Sequence, residues 1–141
     1  MSHPLAPLAI EHDAVYPHAP ERVWRALVDP TELAAWLMPT DFAPEVGKEF
    51  VLETDSAEIG TIQGQVLEID EPRLLRCRWT GGFGDTEVTF ELAPEGDGTR
   101  LRVRHDGWSE PAPDRGGFDE GWKQKLDEDL PRVLGSANRE D

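Results

Sequence analysis

The C-terminal third of this chain constrains its fold more than any other stretch. A predicted β-hairpin, Thr86 to His105 with a turn at Glu95–Gly98, is followed by a predicted amphipathic helix. That helix carries an apolar stripe at four-residue spacing, made of Phe118, Trp122, Leu126 and Leu130. Such a stripe must be buried against a second apolar surface, and the inward face of the hairpin supplies one. The sequence therefore predicts a long helix packed on an antiparallel sheet.

The segments before the hairpin complete an α+β pattern. Alternating apolar and polar residues predict strands at Leu8–Tyr16, Lys48–Thr54, Ile59–Ile69, Leu74–Trp79, Thr86–Leu92 and Thr99–His105. Two short helices are expected after the first strand, beginning near Pro20 and Pro30, because proline fits the first turn of a helix but interrupts a helix interior. The predicted order is β-α-α-β-β-β-β-β-α, and its short connections favour antiparallel pairing.

Glycine and proline mark the expected irregularities. Gly60 and Gly64 fall within the long third strand and predict bends that curl the sheet. The last helix is expected to begin between residues 114 and 117 and to reach at least Leu130. Pro131 removes one main-chain hydrogen bond, so we expect a kink or an early end there, with the following residues, Val133 and Leu134, held less firmly.

The length of the chain indicates a single domain. In 141 residues, two separate cores would each be too small to bury most of their surface. We expect one domain over residues 1–141, with an ordered core at 8–134 and flexible tails at 1–7 and 136–141.

Charge and cysteine count exclude several kinds of partner. A formal net charge of −15, with scattered basic residues, argues against nucleic acid. No segment approaches the roughly 20 apolar residues of a membrane span, and no signal peptide is expected. Cys77 is the only cysteine, and no His or Cys pair has metal-ligand spacing. We therefore expect no disulfide within the chain, no metal, no cofactor and a cytoplasmic location.

The predicted architecture also indicates where a ligand would bind. A sheet bent around a helix leaves interior space near the two short helices, and aromatic side chains are expected to line it. The candidate ligand-binding residues are Trp36, Met38 and Phe42 near the short helices, Trp79, Phe90 and His105 on strands, and Phe118, Trp122 and Leu126 on the last helix. Their character predicts a small apolar ligand. For each of them taken singly, ordinary core packing is the alternative.

His105 is the candidate with chemical reactivity. Strand alternation places it on the inward face with Leu101 and Val103. An inward histidine can orient a polar group of a ligand or act as an acid or base near neutral pH. The alternative is a hydrogen-bonded histidine at the end of its strand, near the protein surface.

Several motifs resemble those of a known family. They are Pro20-Glu21-Arg22-Val23-Trp24-Arg25-Ala26-Leu27, Asp29-Pro30, Leu33-Ala34-Ala35-Trp36, Val88-Thr89-Phe90-Glu91-Leu92, Glu95-Gly96-Asp97-Gly98-Thr99-Arg100-Leu101 and Gly121-Trp122. At these positions the chain resembles the family related to the activator of the heat-shock ATPase, in the START-like (SRPBCC) superfamily. The resemblance extends from Leu8 to Leu134. It implies the helix-grip fold: a curved six-stranded antiparallel sheet, two short helices and one long C-terminal helix.

The resemblance leaves three functions open. The first is binding of a small, lipid-like or polyketide-like molecule in an apolar cavity. The second is a cyclase-like or hydratase-like enzyme with His105 as acid or base. The third is a co-chaperone-like module that binds another protein, which is disfavoured because such activators carry an additional N-terminal domain. A protein partner stays open, and nothing in the sequence indicates an oligomeric state.

Overall fold

The computed structural model describes residues 9–54, 60–81, 84–107 and 118–139, with side chains for all of these except 118–119 and 136–139. Three expectations lie outside the described residues: the tail at 1–7, the start of the last helix at 114–117, and the placement of the Phe118 side chain.

The described residues contain a curved antiparallel sheet of six strands. The strands are β1 (Ile10–Tyr16), β2 (Glu49–Glu53), β3 (Thr61–Asp70), β4 (Leu74–Gly81), β5 (Gly84–Glu95) and β6 (Gly98–Asp106). Their order across the sheet is β1-β6-β5-β4-β3-β2, so only the first strand is placed beside a partner that is distant in sequence. Each predicted strand is present, with bounds that differ by a few residues.

Helices complete the predicted element order. Two short helices, α1 (Pro20–Val28) and α2 (Pro30–Trp36), follow β1. At the other end of the chain, α3 (Phe118–Gln124), a π-helical turn (Lys125–Asp129) and α4 (Leu130–Arg139) follow one another without a break. We call residues 118–139 the C-terminal helix. The predicted helix-grip fold is confirmed. No helix within the described ranges combines the length and the apolar character needed to span a membrane.

The break between α1 and α2 is stabilised by side chains on both sides of it. Asp29 caps α2 by accepting a 2.8 Å hydrogen bond from the Thr31 main-chain nitrogen. In a continuous helix the Ala26 carbonyl would accept a hydrogen bond from residue 30, but proline has no N–H to donate. The indole nitrogen Nε1 of Trp36 instead donates to this carbonyl at 2.8 Å. Trp36 thus ties the two helices together.

Gly64 lies where the β3 ladder is regular, so the bend predicted there is not accompanied by a change of register. The ladder is regular through Gly64, which pairs with Phe50 on one side and Trp79 on the other, and the register shift lies between Val66 and Glu68. A Cβ atom on Gly64 would lie 2.3 Å from Cζ of Phe50, so glycine is required here to make room for that ring. The prediction that Gly60 lies within the third strand is wrong, because this residue precedes β3 and has a φ of 68°.

The C-terminal helix does not end at Pro131. It continues to Arg139, past the predicted limit of the ordered core, and Leu134 is fully buried rather than loosely held. The irregularity lies one turn earlier, where the Leu130 N–H donates to the Lys125 carbonyl, five residues back. Proline is accommodated because the wider turn precedes it.

The π-helical turn also explains how the apolar stripe stays on one face. In a regular α-helix every four-residue step overshoots a full turn by about 40°, so a stripe of four residues drifts by about 120°. Trp122, Leu126, Leu130 and Leu134 are nevertheless all between 0% and 2% exposed. The wider π turn offsets the drift and keeps all four side chains in the core.

Candidate functional site

The structure brings four of the predicted residues into one aromatic group under the C-terminal helix. The Trp122 ring stacks on the Trp79 ring, with centroids 5.6 Å apart and planes inclined by 27°. It meets the Phe90 ring edge-on at 5.8 Å and the His105 ring edge-on at 6.2 Å. His105 also contacts Trp79, with ring centroids 5.5 Å apart. We call Trp79, Phe90, His105 and Trp122 the aromatic cluster.

The remaining predicted residues are distributed around this cluster. Phe42 packs edge-on against Phe50 of β2, with ring centroids 5.0 Å apart. Trp36 is buried between α1 and α2, and Met38 is half-buried against the core. Leu126 follows Trp122 along the buried stripe. Seven of the nine candidates are between 0% and 5% exposed: Trp36, Phe42, Trp79, Phe90, His105, Trp122 and Leu126.

A chain of hydrogen bonds crosses the cluster and determines the protonation of His105. The indole nitrogen of Trp122 lies 3.1 Å from Nδ1 of His105. An indole N–H can only donate, so Nδ1 is the acceptor and the ring proton of neutral His105 is on Nε2. Nε2 lies 2.8 Å from Oγ1 of Thr86, which in turn donates to the Trp79 carbonyl at 2.8 Å. The chain joins the helix to three adjacent strands.

This arrangement keeps His105 neutral. Burial lowers the pKa of His105 to about 3. A second ring proton would have to be placed on Nδ1, directly against the N–H of Trp122. His105 is therefore hydrogen-bonded, as in the alternative, but it is fully buried rather than near the surface, and its ring links the helix to the sheet.

Other buried polar groups are also bonded within the protein. The Tyr16 hydroxyl donates to the Leu126 carbonyl at 2.7 Å, and the Thr99 hydroxyl donates to the His18 carbonyl at 2.7 Å. Among the residues with described side chains, the buried polar or charged ones are Thr86, Thr99 and His105. These fully buried residues carry hydroxyl and imidazole groups but no formal charge, whereas the partly buried Arg22 has a buried Nε atom without a hydrogen-bond partner.

Partly buried charged side chains connect the two short helices to the C-terminal helix. Arg22 of α1 pairs with Glu32 of α2 at 2.9 Å and also donates to the Val133 carbonyl at 3.2 Å. Lys125 donates from Nζ to the Leu37 carbonyl at 3.0 Å, just after α2. The two short helices and the C-terminal helix are thereby connected at the end of the molecule where the sequence analysis placed the interior space.

The described part of the chain contains neither a reactive thiol nor a group of side chains arranged to bind a metal ion. Burial raises the pKa of the Cys77 thiol to about 12, so the thiolate that a nucleophile requires does not form near neutral pH. Among the described side chains, no three His, Cys, Asp or Glu residues are grouped as metal ligands.

Three residues that shape the site were not among the sequence candidates. Thr86 shares the inward parity of Val88 and Phe90, and a hydroxyl on an apolar strand face is itself a signal for a buried hydrogen bond. Tyr16 and Phe50 had the correct inward parity as well. Alternation predicted their burial, but it carries no information on the partner that each one contacts.

Comparison with known proteins identifies close structural relatives. The sequence profile of the family described as "Activator of Hsp90 ATPase homolog 1-like protein" matches residues 17–135. No curated protein sequence matches the chain significantly. The solved structure of protein MLL2253 from Mesorhizobium loti is 31% identical with a TM-score of 0.81, and the alignment covers 94% of this chain and 98% of that one.

Two further structures have the same fold. Protein BH1534 from Bacillus halodurans is 26% identical with a TM-score of 0.75, over 89% of this chain and 96% of that one. DynU16, described as a protein in the dynemicin biosynthetic locus, is 19% identical with a TM-score of 0.78. That alignment covers 93% of this chain and 48% of DynU16, and at this identity it shows a shared fold alone.

Proposed function

The chain belongs to the family of Activator of Hsp90 ATPase homolog 1-like proteins, and we propose that it binds a small apolar molecule between its curved sheet and its C-terminal helix. The observation that carries this proposal is the aromatic cluster. Three large π faces, those of Trp79, Phe90 and Trp122, converge at the surface where the helix contacts the sheet. Aromatic faces at this density favour contact with an apolar or planar ligand.

The other candidate residues from the sequence are proposed to lie at the edge of this site. Trp36, Met38 and Phe42 belong to the end with the short helices, and Leu126 continues the helix stripe from Trp122. Because the cluster residues are almost wholly covered, a ligand enters only when the C-terminal helix and the sheet separate locally. Lipid-like or polyketide-like molecules have the extended apolar surface that such a site requires. Phe118 remains a proposed contact from sequence alone.

Binding is favoured over acid-base catalysis by the state of His105. A general base near neutral pH needs a free lone pair directed at the substrate. Nδ1 of His105 accepts from Trp122, Nε2 is within hydrogen-bond distance of Thr86, and burial lowers the pKa of the ring to about 3. We therefore assign His105 to orientation of the cluster rather than to proton transfer.

We propose a reducing cytoplasm as the compartment, because Cys77 is a buried, free thiol.

Titration with the neutral fluorescent probe N-phenylnaphthylamine tests the proposal. Its emission is expected to rise on addition of the protein, and Trp122→Phe should weaken its affinity by about threefold or more, since one stacking surface becomes smaller. Trp24→Phe is the matched control, because Trp24 is an equally buried indole on α1. Native mass spectrometry of freshly purified protein would identify a retained ligand. Unchanged emission with the wild-type protein, or equal effects of the two substitutions, would contradict the proposed site.

A further inference from the structure

Four buried polar groups around the proposed ligand site are hydrogen-bonded within the protein. The hydroxyl of Thr86 donates to the Trp79 carbonyl, that of Thr99 to the His18 carbonyl, and that of Tyr16 to the Leu126 carbonyl. The indole N–H of Trp122 is used by His105. A ligand group that arrives in this region finds aromatic and aliphatic surface, and every one of these donors is already occupied.

The fully buried residues of the described interior carry no formal charge, and the partly buried Arg22, whose Nε atom is buried without a hydrogen-bond partner, is already paired with Glu32. The fully buried polar side chains are two threonines and one neutral histidine, with no carboxylate, ammonium or guanidinium group among them. Lys125, which is also partly buried, is bonded to the Leu37 carbonyl. Transfer of an ionised group into such surroundings loses its hydration and gains no compensating partner, which is among the largest penalties in protein energetics.

Building on the proposed function, we propose that the site selects ligands by charge: it takes uncharged molecules and rejects the ionised form of the same scaffold. Selection of this kind needs no repulsive residue. It follows from surroundings in which the hydroxyl and indole donors named above are occupied and the described cations are already bonded to protein groups. The proposed ligands are thus apolar molecules that carry no charge. An ionisable molecule is expected to bind only in its neutral form.

A matched pair of fluorescent probes tests the selection. N-phenylnaphthylamine is neutral, and anilinonaphthalene sulfonate has the same phenyl and naphthalene rings on one amine nitrogen, with one sulfonate group added. The neutral probe is expected to bind about 30-fold more tightly or better, and an excess of the sulfonate should fail to displace it. Trp122→Phe should lower the affinity for the neutral probe and leave any weak sulfonate binding unchanged, since the latter would be at the surface.

The protein's net charge of −15 repels an anionic probe by itself, so the titrations must separate this effect from exclusion by the interior. Both are repeated in about 0.5 M salt, where repulsion by surface charges is screened over distances beyond a few ångströms. Rejection by the interior persists in salt, whereas rejection by the surface disappears.

The possible outcomes are distinct. Affinities for the two probes within about threefold of each other at high salt would overturn the charge selection while leaving the proposed binding function intact. The charge selection would also be overturned if the sulfonate binds and Lys125→Met abolishes its binding, because the site would then supply a counter-charge. Failure of both probes to bind would overturn the proposed function and this inference together.

Discussion

Tyr16 on the first strand donates a 2.7 Å hydrogen bond from its hydroxyl to the main-chain carbonyl of Leu126 in the C-terminal helix. In the π-helical turn the Leu130 N–H donates to the Lys125 carbonyl. With the same five-residue spacing, the donor to the Leu126 carbonyl would be residue 131, which is proline and has no N–H. Tyr16 therefore supplies the hydrogen bond that the helix itself does not give to Leu126. Burial raises the pKa of Tyr16, and the nearby Asp127 carboxylate raises it further, so the hydroxyl keeps its proton.

Tyr16→Phe should lower the free energy of unfolding by about 1–3 kcal/mol, because it leaves a buried carbonyl without a donor and changes little else. Urea denaturation measures the difference. Lys123→Ala is a suitable control in the same helix, since it removes an exposed pair with Asp127 and should cost no more than about 0.5 kcal/mol. Equal losses in the two variants would show that the Tyr16 hydrogen bond has no special weight.

Leu134→Ala should lower the free energy of unfolding by about 2–5 kcal/mol, because Leu134 is fully buried beyond Pro131 and its truncation leaves a cavity. The loss can be measured from thermal or urea unfolding curves. The neighbouring exposed residue provides the comparison, with Arg132→Ala expected to change stability by about 0.5 kcal/mol or less. A small effect at Leu134 would mean that the helix is not packed past the proline.

Gly64→Ala and Gly121→Ala should have opposite effects. The first substitution places a methyl group 2.3 Å from the Phe50 ring and should destabilise the protein by about 1–3 kcal/mol. The second meets no atom within 4 Å on a helix and should stabilise it by about 0.5–1 kcal/mol. Differential scanning calorimetry gives both shifts. Adding Phe50→Leu to Gly64→Ala should recover part of the loss; no recovery would count against a steric role for this glycine.

Stability should fall as pH falls from about 6.5 towards 3, partly through His105. The pKa of His105 is about 3 in the folded protein, whereas an unfolded histidine titrates near its ordinary value of about 6.5. Between these values the unfolded chain binds more protons, so acidification favours unfolding, with a slope of up to about 1.4 kcal/mol per pH unit.

The His105→Gln variant isolates this contribution, because glutamine does not titrate. Urea unfolding of both proteins across this range should show a shallower pH dependence in the variant. Its stability at neutral pH is lower for other reasons, so the slopes are compared rather than the absolute values. Identical slopes would mean that His105 takes up a proton in the folded state as easily as in the unfolded one.

Much of the fold followed from local patterns. Alternation along the strands placed Trp79, Phe90 and His105 on the inward face, and burial of all three agrees with it. Prolines at 20 and 30 marked the starts of the two short helices, because their restricted φ and missing N–H act within one turn. These rules need only neighbouring residues, so they can be applied before the tertiary structure is known.

The predictions were incomplete where two distant segments meet. Gly64 was interpreted as a bend, and its own strand gave no indication that a ring of the neighbouring strand fills the space beside it. Pro131 was expected to kink or end the helix, yet the helix continues, and a wide turn and the Tyr16 hydroxyl accommodate the proline. The four-residue spacing of the apolar stripe was itself an indication of a wider turn in the helix, because a regular α-helix cannot keep such a stripe on one face.

Sequence by itself determined the order of the elements and the side of each that is buried, since hydrophobic periodicity is a property of consecutive residues. Only the tertiary structure decided which polar atom each buried aromatic side chain binds: Trp36 the Ala26 carbonyl, Tyr16 the Leu126 carbonyl and Trp122 the imidazole of His105. The last two pairs are 110 and 17 residues apart in the chain. Their geometry depends on where the C-terminal helix comes to lie across the finished sheet, and a hydrogen bond is too short and too directional to be inferred from the pattern of either segment alone.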